Sequence, residues 1–144
     1  MPCWVSEGSE EYSKRMPSQL SVSFREIPLA KRGRDSNPEV AIARESEQII
    51  AAIGKDDHVV ALEVGGENWS TPQLARKLEA WQLRGGNLSL LIGGPDGLSD
   101  ACRARAAEHW SLSPLTLPHP LVRIILAEQL YRAWTINSNH PYHR

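Results

Sequence analysis

The segment Leu88-Ser89-Leu90-Leu91-Ile92, running into Gly93-Gly94-Pro95-Asp96-Gly97, constrains this chain more than any other. It is short and almost wholly apolar. A strand with one face in water alternates apolar with polar residues, whereas an unbroken apolar run fits a strand covered on both faces, as in a parallel sheet. Val59 to Val64 reads as a second strand, and Leu112 to Leu117 as a further short one. Leu20, Val22 and Phe24 alternate with polar residues and predict a half-buried strand. Helices are predicted from Trp4 to about Lys14 and from Pro38, suited to a first turn, to Ile53 before Gly54. Thr71-Pro72 starts another, with Leu74, Leu78 and Trp81 on one face and Gly85-Gly86 as its stop. Ser99 can cap a short helix to about His109. Pro120 opens the last helix, whose Leu121, Ile124, Ile125, Leu130, Tyr131 and Trp134 cover it broadly. Pro28 to Asn37 reads as a loop. Strands alternating with helices predict an α/β fold, a parallel sheet with helices on both faces. Such an alternation normally opens on a strand, and this chain opens on a helix. The reading therefore expects the first strand to be missing, carried by roughly ten further residues before Met1.

At 144 residues the chain is read as a single domain, 1–144, with a core that needs no disulfide or metal. No apolar run approaches the ~20 residues that span a bilayer, and Met1 to Glu11 lacks the basic start and apolar stretch of a secretory signal. Cys3 and Cys102 form no CxxC pair, so they are expected to be reduced thiols in a cytoplasmic protein. A formal net charge of -1 argues against holding a nucleic acid by bulk electrostatics. Lys31, Arg32 and Arg34 around Gly33 form a local basic group, which can bind phosphate or simply sit in a solvated loop.

Ligands of open parallel sheets bind beyond the carboxyl ends of the strands. Three segments fall there: Glu63 to Trp69, Gly93 to Gly97, and Leu112 to His119. Gly65-Gly66 and Gly93-Gly94 would let backbone groups approach a ligand closely, although strand-to-helix turns use glycine anyway. There is no GxGxxG, GxxxxGK[ST] or GxSxG. This counts against a dinucleotide enzyme, a phosphate-loop NTPase and an α/β-hydrolase. His119, His140 and His143 have no accompanying cysteines or carboxylates, so no metal site is expected. Trp69, Trp81, Trp110 and Trp134 read first as core or subunit-interface residues and only second as base-stacking ones.

Several motifs in order carry a resemblance. They are Leu90-Leu91-Ile92-Gly93-Gly94-Pro95-Asp96-Gly97-Leu98, Trp110-Ser111-Leu112-Ser113 and Leu117-Pro118-His119-Pro120-Leu121-Val122-Arg123. Glu128-Gln129-Leu130-Tyr131-Arg132-Ala133-Trp134 and Asn139-His140-Pro141-Tyr142-His143-Arg144 follow, with Ile27-Pro28 and Lys31-Arg32-Gly33 upstream. Together they resemble the SPOUT-class pseudouridine N3-methyltransferases of bacterial 23S ribosomal RNA over nearly the whole chain. The resemblance implies a SPOUT fold with a C-terminal deep trefoil knot, an arrangement otherwise almost absent from proteins. It implies that the knot loops bind S-adenosylmethionine through Leu62, Gly93, Leu112, Ser113, Pro114, Leu115, Thr116 and Leu117. It further implies a homodimer acting on 23S ribosomal RNA, in the assembled ribosome, with the base held between one subunit's knot and its partner.

In that reaction the imide N3 of pseudouridine must lose its proton and then attack the activated methyl in line from ~3–3.5 Å. Arg132, Tyr142 and His143 are the expected catalytic residues, stabilising the anionic base as donors. An imidazole such as that of His143 can also accept the proton near neutral pH. A purely structural Arg132, capping the last helix, is the rival reading. Two other functions share these residues: a SPOUT enzyme for transfer RNA or another ribosomal base, and a non-catalytic ribosome-binding relative. Calorimetry with S-adenosylmethionine separates the last from an enzyme.

Overall fold

A computed structural model describes residues 2–28, 37–93 and 97–143. The basic group at Lys31, Arg32 and Arg34, most of the expected loop around it, Gly94 to Asp96 and Arg144 lie outside the described residues. The elements in chain order are α1 (Cys3–Ser13), a 3-10 turn (Ser18–Leu20), α2 (Pro38–Ala52), β1 (His58–Asn68) and α3 (Thr71–Arg84). They continue as β2 (Leu88–Ile92), α4 (Asp100–Arg105), β3 (Glu108–Ser111), α5 (His119–Asn137) and a 3-10 turn (Pro141–His143). Among the described residues, contacts cluster in two compact units: 1–24, 69–85 and 116–144 form one, and 25–68 with 86–115 the other.

The second unit is the α/β body. Its sheet has the order β2-β1-β3, and both pairings are parallel. Side chains alternate across a strand, so Val59 and Ala61 share one face of β1, and Val60 and Leu62 the other. All of them are buried, which explains why this strand reads as a continuous apolar run. Val59 and Ala61 pack with Leu91, Leu98 and Cys102, against Ile49 of α2 and against Ile53 and Ala106, which directly follow α2 and α4. The α2 helix starts where Asn37 accepts a hydrogen bond from the Glu39 amide at 3.0 Å, and Pro38 needs no amide donor at that position. Ser99 caps α4 through the Cys102 amide at 3.1 Å and donates to Ser46 on α2 at 2.6 Å.

Along β1 the ladder to β3 is interrupted. Leu62 and Glu67 both stand opposite Trp110, so Glu63 to Gly66 loop out of register. Gly66 makes this possible: a Cβ there would lie 2.8 Å from backbone atoms of His109 and Trp110.

The first unit is helical. The α1 and α3 helices both contact α5, and the buried side chains include Val5, Leu74, Leu78, Trp81, Leu126, Leu130 and Tyr131. The α3 helix opens with a capping box, Ser70 accepting from the Gln73 amide and Gln73 from the Ser70 amide. Gly85 ends it in the left-handed region, φ 74°, as the Gly85-Gly86 stop predicts. At its middle and at its carboxyl end α5 is tied to α3, by Thr71 Oγ1 donating to Gln129 at 2.9 Å and by Asn137 Nδ2 donating to the Ala75 carbonyl at 2.9 Å. No described helix is long and apolar enough to cross a membrane.

Three sequence expectations need correction. Residues 21–28 form no strand. Val22 and Phe24 do alternate in burial with exposed Ser21 and Ser23, but the pattern reports half-burial and no described strand pairs with it; Phe24 packs its ring beneath the Arg123 guanidinium, 5.5 Å away. The helix after Ser99 stops at Arg105 rather than near His109, because Glu108–Ser111 is taken up by pairing with β1. Residues 112–117 are therefore not the strand; they follow it as an irregular loop. Pro114 has no amide to donate to a ladder, and the Leu115 amide donates instead to Ser113 Oγ at 3.0 Å.

The two adjacent glycines of the β1 loop should respond differently to a methyl group. Gly66→Ala pushes on the β3 backbone and should cost about 1–3 kcal/mol. Gly65→Ala meets nothing within 4 Å and should stay within about 0.5 kcal/mol of the parent. Thermal melting of the two variants checks this, and equal melting temperatures would contradict the close approach.

Candidate active site

Parallel pairing puts the carboxyl ends of three strands side by side. Leu62 stands opposite Ile92 on β2 and Trp110 on β3. Gly93 follows directly on Ile92, and Leu112 to Leu115 follow on Ser111. Six of the eight expected cofactor residues therefore gather at one end of the α/β body: Leu62, Gly93, Leu112, Ser113, Pro114 and Leu115. Thr116, exposed, and Leu117, half-buried, group with the helical unit.

The local chemistry at this end is mostly backbone and apolar. Leu62 is buried. A Cβ on Gly93 would lie 2.8 Å from the Gly97 carbonyl carbon and 2.9 Å from the Leu98 amide nitrogen. The Gly93 position thus has no room for a side chain, because the Gly97 and Leu98 backbone lies against it. Gly97 itself is in the left-handed region, φ 82°. In the other loop, Ser111 Oγ donates to the Ser113 carbonyl at 2.9 Å, so serine hydroxyls shape this segment. Leu115 is 70% exposed, an apolar side chain held out by a structured turn.

One charged cluster at the same end is not among the expected site residues. Glu63, first residue of the β1 loop, accepts from Arg103 Nε at 2.9 Å and lies 3.1 Å from His109 Nδ1. The only sequence signal for it is that Glu63 begins a segment beyond a strand's carboxyl end. His109 is brought to it by the register with β3 and Arg103 by α4, and spacing reveals neither.

In the helical unit the expected catalytic residues fall at the carboxyl end of α5 and on the tail that follows. Asn139 adopts the left-handed conformation, φ 61°, one that asparagine tolerates better than most residues, and the chain turns back. The Tyr142 ring then lies 4.6 Å from that of Tyr131, and the Arg132 guanidinium 5.1 Å from the Tyr142 ring centre. Glu128 joins them. Its Oε1 accepts from Arg132 Nε at 2.9 Å and from the Tyr142 hydroxyl at 3.1 Å, and Arg132 Nη2 is 2.7 Å away. Burial, and then the hydrogen bond to Glu128, push the Tyr142 phenol up to about 12. The same carboxylate, through its hydrogen bond, holds the Arg132 guanidinium still more firmly protonated. His143 lies beside them in the terminal turn; its Nδ1 is buried and has no hydrogen-bond partner among the described residues. Arg132 is thus not a helix cap, since its guanidinium is directed to a side chain one turn earlier.

Residues 1–143 match the family model described as "Predicted SPOUT methyltransferase". The chain belongs to that family. Among proteins similar to it, "Ribosomal RNA large subunit methyltransferase H" of Hahella chejuensis is 58% identical over 144 residues, spanning 100% of this chain and 92% of the relative. The protein of the same name from Methylococcus capsulatus is 56% identical over 144 residues, spanning 100% of this chain and 93% of the relative. As a SPOUT methyltransferase the chain needs a methyl-donor cofactor. The backbone-lined strand ends fit such a group: Gly93 and the 112–115 turn offer close backbone approach and apolar surface, with no phosphate-binding signature.

The Tyr142 environment has a measurable consequence. A phenol pushed up to about 12 in the folded protein against 10.0 otherwise favours folding fully below the lower value. That contribution is lost as pH rises from the unfolded toward the folded value, because the unfolded chain ionises first. Tyr142→Phe should therefore melt with a shallower decline than the parent over this alkaline range. Parallel declines would mean that the phenol is not shielded.

Proposed function

We propose that this protein, as one 144-residue domain acting as a homodimer in the cytoplasm, transfers a methyl group from S-adenosylmethionine to N3 of a pseudouridine in 23S ribosomal RNA. The target on this reading is the assembled ribosome, and the fold is the knotted SPOUT form. The observation that carries the reading is the full-length identity of 58% to a ribosomal RNA large subunit methyltransferase H. The arrangement of Arg132 and Glu128 on α5 with Tyr142 of the returning tail supports it. A base-specific enzyme needs a rigid donor set, and a non-catalytic relative does not.

When bound, S-adenosylmethionine supplies a methyl group activated by a sulfonium centre. The chain's own residues do the rest. Leu62, Gly93 and Leu112 to Leu117 hold the donor, mainly through backbone approach and apolar contact. Arg132 presents guanidinium N–H groups that are not directed at Glu128, and these stabilise the negative charge that forms on the imide as N3 loses its proton. Tyr142 keeps its proton well above neutral pH, which makes it a donor and orienting group rather than the base. His143 is the proton acceptor in this reading. Its buried Nδ1 has no hydrogen-bond partner among the described residues, which is compatible with that role.

The deciding experiment is mass mapping of 23S ribosomal RNA from a strain lacking the gene, before and after incubation with the purified protein and S-adenosylmethionine. One pseudouridine should gain one methyl group, in ribosomes more readily than in free RNA; no gain in either would refute the activity. Two variants test the site. Gly93→Val must displace the Gly97–Leu98 backbone and should abolish cofactor binding by calorimetry in a folded protein; unchanged affinity would remove Gly93 from the site. Deleting residues 142–144 should leave cofactor affinity near that of the parent while methylation falls sharply. Because Tyr142 packs on Tyr131 and Glu128, that deletion should also lower the melting temperature, unlike the loss of a disordered end.

A further inference from the structure

We propose that Glu128 is a positioning residue of the substrate site, acting through Arg132 and Tyr142 rather than on the base. The inference rests on the methyltransferase reading above and deepens it. Glu128 and Arg132 are four apart on α5, a spacing that commonly gives an exposed helix pair of little consequence. This pair differs in two respects. The Glu128 side chain is only 17% exposed, and it takes a further donor from Tyr142, fourteen residues on. Both of its oxygens are engaged. Oε1 receives Arg132 and Tyr142, and Oε2 receives Gln129 Nε2 at 2.8 Å. Gln129 Oε1 in turn accepts from Thr71 Oγ1 at 2.9 Å, so the carboxylate is referenced to α3 as well as α5.

The returning tail is fastened at the same place. The His140 amide donates to the Thr135 carbonyl at 2.8 Å and the Tyr142 amide to His140 Nδ1 at 3.2 Å. Glu128 therefore fixes two groups from different segments with one charge. Arg132 turns part of its guanidinium toward Glu128, leaving other N–H groups at a defined angle, and Tyr142 locks the turn that carries His143. An arginine or tyrosine without this carboxylate would sample several rotamers, and small misplacements of groups that orient a reacting base cost rate rather than binding.

The test compares the parent with Glu128→Gln, which keeps the shape and removes the charge, with Tyr142→Phe, and with the double variant. Glu128→Gln should lower kcat by about 100-fold, while KM for RNA and calorimetric affinity for S-adenosylmethionine stay near the parent's. The double variant should be no slower than the slower single one, because both changes break the same coupling. A parental kcat in Glu128→Gln, or rate losses that multiply in the double variant, overturns the proposal. A second readout needs no turnover: by ultraviolet absorbance, with Tyr142→Phe as the reference, the Tyr142 phenol should ionise nearer its ordinary value in Glu128→Gln. An unmoved Tyr142 titration overturns the proposal even if the parent methylates nothing, whereas an inactive parent with a moved titration overturns only the functional reading.

Discussion

The parallel register of β1 with its two neighbours is the constraint on which the candidate cofactor end of this protein depends. Because Leu62 stands opposite both Ile92 and Trp110, the segments leaving the sheet emerge at one end. Strands in a parallel sheet all deliver their loops to the same side, so residues remote in sequence become neighbours without any specific contact having to bring them there. The sheet is held by burial on both faces of β1 and by the α2–α4 layer around Cys102.

A different interaction organises the helical unit. One carboxylate, Glu128, gathers a guanidinium from its own helix and a phenol from the tail. The tilted packing of Tyr142 on Tyr131 places apolar surface around that hydrogen bond, so water competes for it less and the phenol is harder to ionise. The left-handed Asn139 is the small backbone concession that lets the chain return. Rigidity here comes from side chains and not from a regular element, which suits a segment whose proposed task is to hold a base.

Much of the arrangement is legible in the residues. Apolar runs marked β1 and β2, and the period of Leu74, Leu78 and Trp81, with Thr71-Pro72 before them and glycines after, marked α3 within a residue or two. The misplacement of β3 has a definite cause. Glu108 to Ser111 carries little β propensity of its own, whereas Leu112, Leu115 and Leu117 do look like a strand; pairing with β1 overrides that preference. The alternation at Val22 and Phe24 likewise records half-burial, which an extended segment can have without a ladder.

By itself the sequence determined the α/β class, the helix limits set by prolines, serines and glycines, and, through its motifs, the methyltransferase family. These follow from local rules: a proline lacks an amide, a serine caps, a β-buried run excludes charge. Tertiary structure alone decided that Gly66 and Gly93 are glycines because backbone lies 2.8 Å from where a side chain would start. It alone decided that Glu63 meets Arg103 and His109, and that Glu128 is shared between Arg132 and Tyr142. The meetings of Gly66 with β3, of Glu63 with Arg103 and His109, and of Glu128 with Tyr142 join residues distant along the chain, and no local pattern encodes the partner.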